Sequence, residues 1–209
     1  MRFSSTRRRS LAGAALALTL SACGGGGDSS TTPTPTPPPI VDVTVTHKVR
    51  LSTTLGVIEL GLDRTKAPAT VDNFLAYVNE RFYVGTVFHR VIRDFVIQGG
   101  GFARGASNVL VQKPTRAAIV LESNKGLSNL RGTIAMARTS DPNSATSQFF
   151  INTVDNKALD YPGSDGSGGY AVFGKVTAGL DVVDRIRAVA TSQDLPLVDV
   201  TITDAVVLP

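Results

Sequence analysis

The tract from Gly24 to Pro39, GGGGDSSTTPTPTPPP, constrains this chain more than any other stretch. Its glycines, serines, threonines and prolines supply no apolar side chains for a core, and its proline-rich half favours an extended, stiff backbone. Whatever folds must therefore lie on one side of it. The segment before the tract is too short to be a domain, so in a chain of 209 residues with 42% hydrophobic residues the fold belongs to the part that follows. That part is large enough for one ordinary domain and its core. We read residues 44–209 as that domain and residues 23–43 as a tether, whose extended half rises about 3 Å per residue and can hold the domain tens of ångströms from a surface.

The residues ahead of the tether account for the net charge. Arg2, Arg7, Arg8 and Arg9 are four of the 21 basic residues and no acidic residue precedes Asp28, so from Cys23 onward the chain carries 17 residues of each sign. The formal charge of +4 is thus no argument for a nucleic-acid partner. The arginines precede the apolar run Leu11–Leu20, which is too short to span a bilayer and has the layout of a secretory signal. Residues 1–22 are read as that signal, with the export route, general or twin-arginine, left open.

The run ends in Leu20-Ser21-Ala22-Cys23, which resembles a bacterial lipobox. Cys23, the only cysteine, is the expected lipidation site, and no disulfide can form within the chain. The expectation is an exported protein at the periplasmic face of the cell envelope, held to a membrane by lipid alone. The absence of aspartate at Gly24 and Gly25 points to the outer membrane.

Within the domain, Val49 and Leu51, a turn at Thr53-Thr54-Leu55-Gly56, then Ile58, Leu60 and Leu62 alternate as a β-hairpin should. Pro68 suits the first turn of a helix, and Val71, Phe74, Leu75 and Val78 follow on one face. Leu180, Val183 and Ile186, with Asp181 near the start, mark a second helix. Between them lie short β-rich runs at 86–92, 95–98, 133–137, 148–152 and 171–176, separated by glycine-rich loops. The class is mainly β, and closure of short antiparallel strands into a barrel would remove exposed edges.

Three segments carry the chemistry: Phe88-His89-Arg90-Val91-Ile92-Arg93-Asp94-Phe95-Val96-Ile97-Gln98-Gly99-Gly100, then Met136-Ala137-Arg138 with Ser147-Gln148-Phe149-Phe150-Ile151-Asn152, then Gly169-Tyr170-Ala171-Val172-Phe173-Gly174-Lys175-Val176. Together, in this order, they resemble the cyclophilin family of peptidyl-prolyl cis-trans isomerases, from about Val49 to the C-terminal strand. The resemblance implies a closed eight-stranded antiparallel barrel capped by two helices, with the substrate groove on its outer surface. It implies Arg90, Phe95, Gln98 and Phe150 as catalytic residues, and Val96, Ala137, Arg138, Gln148, Leu159 and Tyr170 as substrate-binding residues. Gln98 would hydrogen-bond either Arg90 or the substrate backbone. Ala137 and Arg138 would offer main-chain contacts to the residue before proline.

The reaction explains the residue types. An X-Pro amide must twist through a state without resonance, over a barrier of roughly 18–20 kcal/mol, and no covalent bond changes. A pocket that prefers the twisted amide to both planar forms suffices, with no nucleophile, cofactor or metal required. Arg90 is the cationic donor for the pyramidal prolyl nitrogen. His89 is read as structural, since the twist transfers no proton, and Phe149 as core, since neighbouring strand residues face opposite sides. Two departures from many eukaryotic members stand out: Ala158 where they carry tryptophan, and Tyr170 where they carry histidine.

Rival motifs fail on their chemistry. Gly169–Lys175 approaches the P-loop pattern, but Val176 stands where a magnesium-binding hydroxyl is needed. Asp160 and Asp165 sit in a glycine-rich loop whose spacing is poor for calcium, so no metal site is expected. The expected partners are proline-containing peptides and unfolded envelope proteins, with no nucleic acid, and the expected state is a monomer. The alternative function is a proline-peptide binding or chaperone module with little turnover.

Overall fold

The computed structural model describes residues 42–107 and 109–209. The signal at 1–22, the lipidation site Cys23 and the tether as far as residue 41 lie outside the described residues.

Strands β1 (His47–Thr53) and β2 (Gly56–Leu62) form the hairpin that alternation predicts, with Thr53 opposite Gly56. Their inward residues Val49, Leu51, Ile58, Leu60 and Leu62 are fully buried. The turn is drawn tight by Thr53, whose hydroxyl donates to the Gly56 carbonyl at 2.7 Å and accepts from the Leu55 N–H at 3.1 Å. Gly56 has φ of 131°, and a β-carbon there would come within 2.9 Å of Val182. Both the backbone and the packing demand glycine.

Helix α1 (Pro68–Asn79) opens on its proline and buries Val71, Phe74, Tyr77 and Val78. Ala67 at its start provides no side-chain cap. Glu122 does that work from far along the chain, its carboxylate accepting the Ala69 N–H at 3.2 Å, the Thr70 N–H at 2.9 Å and the Thr70 hydroxyl at 2.8 Å. A carboxylate at this end also meets the positive end of the helix dipole.

The remaining elements are β3 (Arg90–Val91), β4 (Val96–Gly99), β5 (Phe102–Arg104), β6 (Leu110–Gln112), β7 (Thr133–Met136), β8 (Phe149–Asn152), β9 (Val172–Ala178), α2 (Leu180–Arg187), β10 (Thr191–Ser192), β11 (Leu195–Pro196) and β12 (Ile202–Leu208). Eight strands join in one antiparallel sheet, in the order β12-β1-β2-β9-β7-β8-β4-β3, while β5-β6 and β10-β11 are separate hairpins. Helix α1 packs on β12 and α2 on β2 and β4.

The sheet is an open run and not the closed ladder the resemblance implies: β3 and β12 are not paired as strands. Two features account for this. Strand β3 is only two residues long, and the N–H of its Val91 donates to the Asp194 carbonyl at 2.7 Å, so the β10-β11 turn takes its outer side. The seam is instead stitched by irregular backbone, through a bridge between Val87 and Thr201 and bonds from Phe88 N–H to Val200 O at 2.9 Å and Ile202 N–H to Thr86 O at 2.8 Å.

The two faces of the sheet hold different clusters. Inside, Phe74 brings α1 against Tyr83, Phe149 and Phe173, with ring centroids 5.1, 5.6 and 5.2 Å away. Outside, Val96, Ala135, Phe150 and Val172 form a second cluster with Leu127 and Val43. The period of two along each strand makes the division, since Ile97, Ile134, Phe149 and Phe173 point inward while their neighbours point out. Val43, the last residue assigned to the tether, is 7% exposed in this outer cluster.

Candidate active site

On that outer face the chain forms a cleft of about 160 Å³, lined by Arg90, Phe95, Val96, Gln98, Ala137, Arg138, Phe150, Leu159 and Tyr170. These are nine of the ten site residues that the resemblance implies, from segments far apart in sequence. Register explains the convergence. In the β3-β4-β8 ladder, Arg90 lies opposite Gln98 and Gln98 opposite Phe150, so the three stand in a row across the strands. Gln148, the tenth, lies on the far side of Gln98 in an adjoining depression, where its side-chain carbonyl accepts the Gln98 amide at 3.0 Å.

The guanidinium of Arg90 is held at two nitrogens. Nη1 donates to Gln98 Oε1 at 3.5 Å, and Nε faces the Asp194 carboxylate at 3.6 Å. Among the described residues Nη2 has no hydrogen-bond partner in the protein. The group lies 6.0 Å from the centre of the Phe95 ring, beside the apolar floor made by Val96 and Phe150. Of the two uses expected for Gln98, the structure has it bonded to Arg90. The Gln148 contact fixes its amide orientation, leaving the oxygen toward Arg90.

Tyr170 closes the opposite wall. Its ring meets Phe150 edge-on, with centroids 5.5 Å apart at 78°. The Arg138 guanidinium lies 4.7 Å from the Tyr170 ring centre. Arg138 also donates to Gly169 O at 3.0 Å, to Ser167 O at 3.1 Å, to Ser167 Oγ at 2.9 Å and to Thr139 O at 2.9 Å. Its side chain is thereby committed to the 160–169 loop. The Ala137 N–H is committed too, donating to Gln148 O at 2.9 Å, so a main-chain contact from Ala137 to a substrate would fall to its carbonyl. Leu159 ends a short 3-10 turn, and its carbonyl accepts the Tyr170 N–H at 2.9 Å, closing the base of the loop. Gly169 makes that closure possible: its φ is 68°, and a β-carbon would lie 2.7 Å from the Leu159 carbonyl oxygen. Ala158 is exposed on the same turn.

The two loop aspartates are occupied by protein donors. Asp160 accepts the Asn129 N–H at 2.6 Å, the Asn129 side-chain amide at 3.0 Å and the Ser128 hydroxyl, while Asp165 accepts the Ser167 N–H at 2.9 Å. They serve to fold the loop. His89, next to Arg90 in sequence, packs on Phe102 with ring centres 4.6 Å apart. Burial is the main cause that pulls its imidazole below the usual range, and the charge of Arg90 acts in the same direction. It stays neutral near pH 7. Sequence reasoning missed Asp194, because neither the spacing nor the composition of Thr191–Pro196 marks a residue destined to face Arg90.

The cleft can therefore receive a small apolar ring against Phe95, Val96, Phe150 and Tyr170 and present a fixed cation at its edge. It contains no activated nucleophile. Comparison with known proteins agrees in fold and sequence. A sequence model described as Cyclophilin type peptidyl-prolyl cis-trans isomerase/CLD matches residues 48–207. Peptidyl-prolyl cis-trans isomerase A of Dickeya dadantii is 51% identical over 170 residues, covering 79% of this chain and 86% of that protein. Peptidyl-prolyl cis-trans isomerase B of Escherichia coli is 53% identical over 148 residues, covering 68% of this chain and 88% of that protein. A crystal structure of a Cryptosporidium parvum cyclophilin type peptidyl-prolyl cis-trans isomerase, determined in the presence of the dipeptide Ala-Pro, superposes with a TM-score of 0.65 at 27% identity, covering 78% of this chain and 99% of the other.

Proposed function

The chain belongs to the cyclophilin-type peptidyl-prolyl cis-trans isomerases, and on that premise we propose that the Arg90 cleft is where the prolyl amide is twisted, in an enzyme lipid-anchored through Cys23 at the periplasmic face of the cell envelope. The observation that carries the assignment is the guanidinium itself. It is tethered at Nη1 and Nε, unpartnered at Nη2 among the described residues, and set at the rim of a proline-sized apolar cleft.

The proline ring enters against Phe95, Val96, Phe150 and Tyr170, where burial of its methylenes holds one side of the amide still. As the preceding carbonyl rotates, resonance is lost and the prolyl nitrogen becomes pyramidal with a lone pair. Arg90 donates to that lone pair. Because Arg90 is already positioned by Gln98 and Asp194, little reorganisation accompanies the step, and one such preorganised donor lowers a barrier by about 2.7–4 kcal/mol. No proton is transferred, so His89 has no part in the step. The Ala-Pro dipeptide of the Cryptosporidium relative's crystals supports the same substrate class here.

The envelope setting rests on the lipobox-like Leu20-Ser21-Ala22-Cys23, the tether behind it and the concentration of excess positive charge before it. Proline-containing proteins folding outside the cytoplasm are the corresponding substrates, and the outer membrane is the proposed site. Two measurements test the proposal. Exchange spectroscopy on an Ala-Pro peptide should show catalysed interconversion that Arg90→Ala slows by roughly two to three decades. Equal rates in the two proteins would remove Arg90 from the mechanism. Peptide binding without turnover by the wild type would favour a binding module. Labelled palmitate should enter the protein at Cys23, and a soluble, unlabelled product would overturn the anchor.

A further inference from the structure

We infer that Asp194 is a positioning residue for Arg90, supplied by a turn that keeps a strained backbone in order to present it. The inference rests on the role proposed above for Arg90. Strands β10 and β11 pair with Ser192 opposite Leu195, leaving Gln193 and Asp194 as a two-residue loop. Their φ angles are 49° and 66°. Positive φ at both positions is the pattern of the type I′ hairpin turn, where Asn-Gly or another glycine-containing pair is normally preferred. Among the described residues only three non-glycine residues have positive φ, Arg81, Gln193 and Asp194, so two of the three share this turn.

Glycine at 194 would relieve the backbone and delete the side chain. The chain instead has an aspartate there, a residue that tolerates the left-handed region better than most. Its carboxylate faces Arg90 Nε at 3.6 Å. Its carbonyl accepts the Val91 N–H at 2.7 Å, so the turn is fastened to the residue next to Arg90. With Gln98 on Nη1, the two partners hold the guanidinium at two of its corners and leave Nη2 for the substrate. Backbone strain beside a functional group is a reason to look for a role in that group's placement.

The test compares the wild-type full chain with Asp194→Gly, Asp194→Asn, Arg90→Ala and the double variant Arg90→Ala/Asp194→Asn. Turnover is measured by exchange spectroscopy on an Ala-Pro peptide, together with melting temperature and the Arg90 Nε–Hε resonance. Both Asp194 variants should turn over roughly two- to fivefold more slowly, the range expected for one exposed ion pair. Asp194→Gly should melt no lower than the wild type, because glycine suits the turn better. The Arg90 resonance should move in both variants, and the double variant should be no slower than Arg90→Ala alone. Loss of activity without loss of stability is what a merely structural turn residue would not produce. Wild-type turnover in the two Asp194 variants, or a slowing that persists on top of Arg90→Ala, would overturn the inference. So would a slowing accompanied by a lower melting temperature and an unmoved Arg90 resonance. If Arg90→Ala itself runs at the wild-type rate, the assignment of Arg90 falls first and the positioning role falls with it.

Discussion

His89 sits next to Arg90 in sequence, and its burial bears on stability. Its ring packs on Phe102, and burial holds its folded pKa below the ordinary histidine value of 6.5. The unfolded chain therefore takes up a proton that the folded chain refuses, and stability is lost as pH falls through 6.5 toward the folded pKa. The urea midpoint of the wild type should thus drop between about pH 7 and pH 5.5, and drop less in His89→Gln. Parallel curves would assign the dependence elsewhere. Turnover of the wild type should stay flat from about pH 7 to 8.5, since the mechanism moves no proton. At this scale the motifs make most of the cleft legible: Arg90, Phe95, Val96 and Gln98 are nearly contiguous, and strand alternation separates Phe150 from Phe149. Asp194 is not legible, because its turn lacks the glycine or asparagine that normally marks one. The saturation of Arg138 by its own loop is hidden for a related reason: side-chain to carbonyl bonds leave no pattern in sequence.

Among the elements, the two helices are the easiest to foresee, because large apolar residues at three- and four-residue spacing fall on a single face only when the backbone is helical. Helix α1 begins at Pro68 and α2 at Leu180, where the pattern begins. What the pattern cannot supply is the cap of α1, which comes from Glu122 through space. Glu122→Ala should cost about 1–2 kcal/mol in urea unfolding, the value of a lost cap, and Glu122→Gln less, since an amide oxygen can still accept. An unchanged midpoint in Glu122→Ala would show that water replaces the carboxylate without loss. The short strands are visible in the sequence as runs, but the run at 86–92 shrinks to Arg90–Val91. The reason lies outside that run: hydrogen bonds from Phe88 and Val91 go to Val200 and Asp194, and such long-range pairing is invisible to local alternation.

For the molecule as a whole, the junction between tether and domain is part of the packing. Val43 is buried in the cluster that contains Phe150, and Asp42 pairs with Lys175 at 2.5 Å. Val43→Ala should lower the unfolding free energy by about 1–2 kcal/mol, the loss of two buried methyl groups. A chain beginning at Asp42 should match the full chain in stability and peptide turnover. A stability deficit in that shortened chain would mean that residues before 42 contribute to the domain. The sheet's arrangement has a further consequence. A prolyl isomerase meets its substrates as stretches of extended chain, the form that adds most readily to an unpaired strand edge. Here the outer side of β3, the strand that carries Arg90, is already engaged by the β10-β11 turn through Asp194. The edge nearest Arg90 is therefore already taken, and a visiting peptide cannot lengthen the sheet at β3.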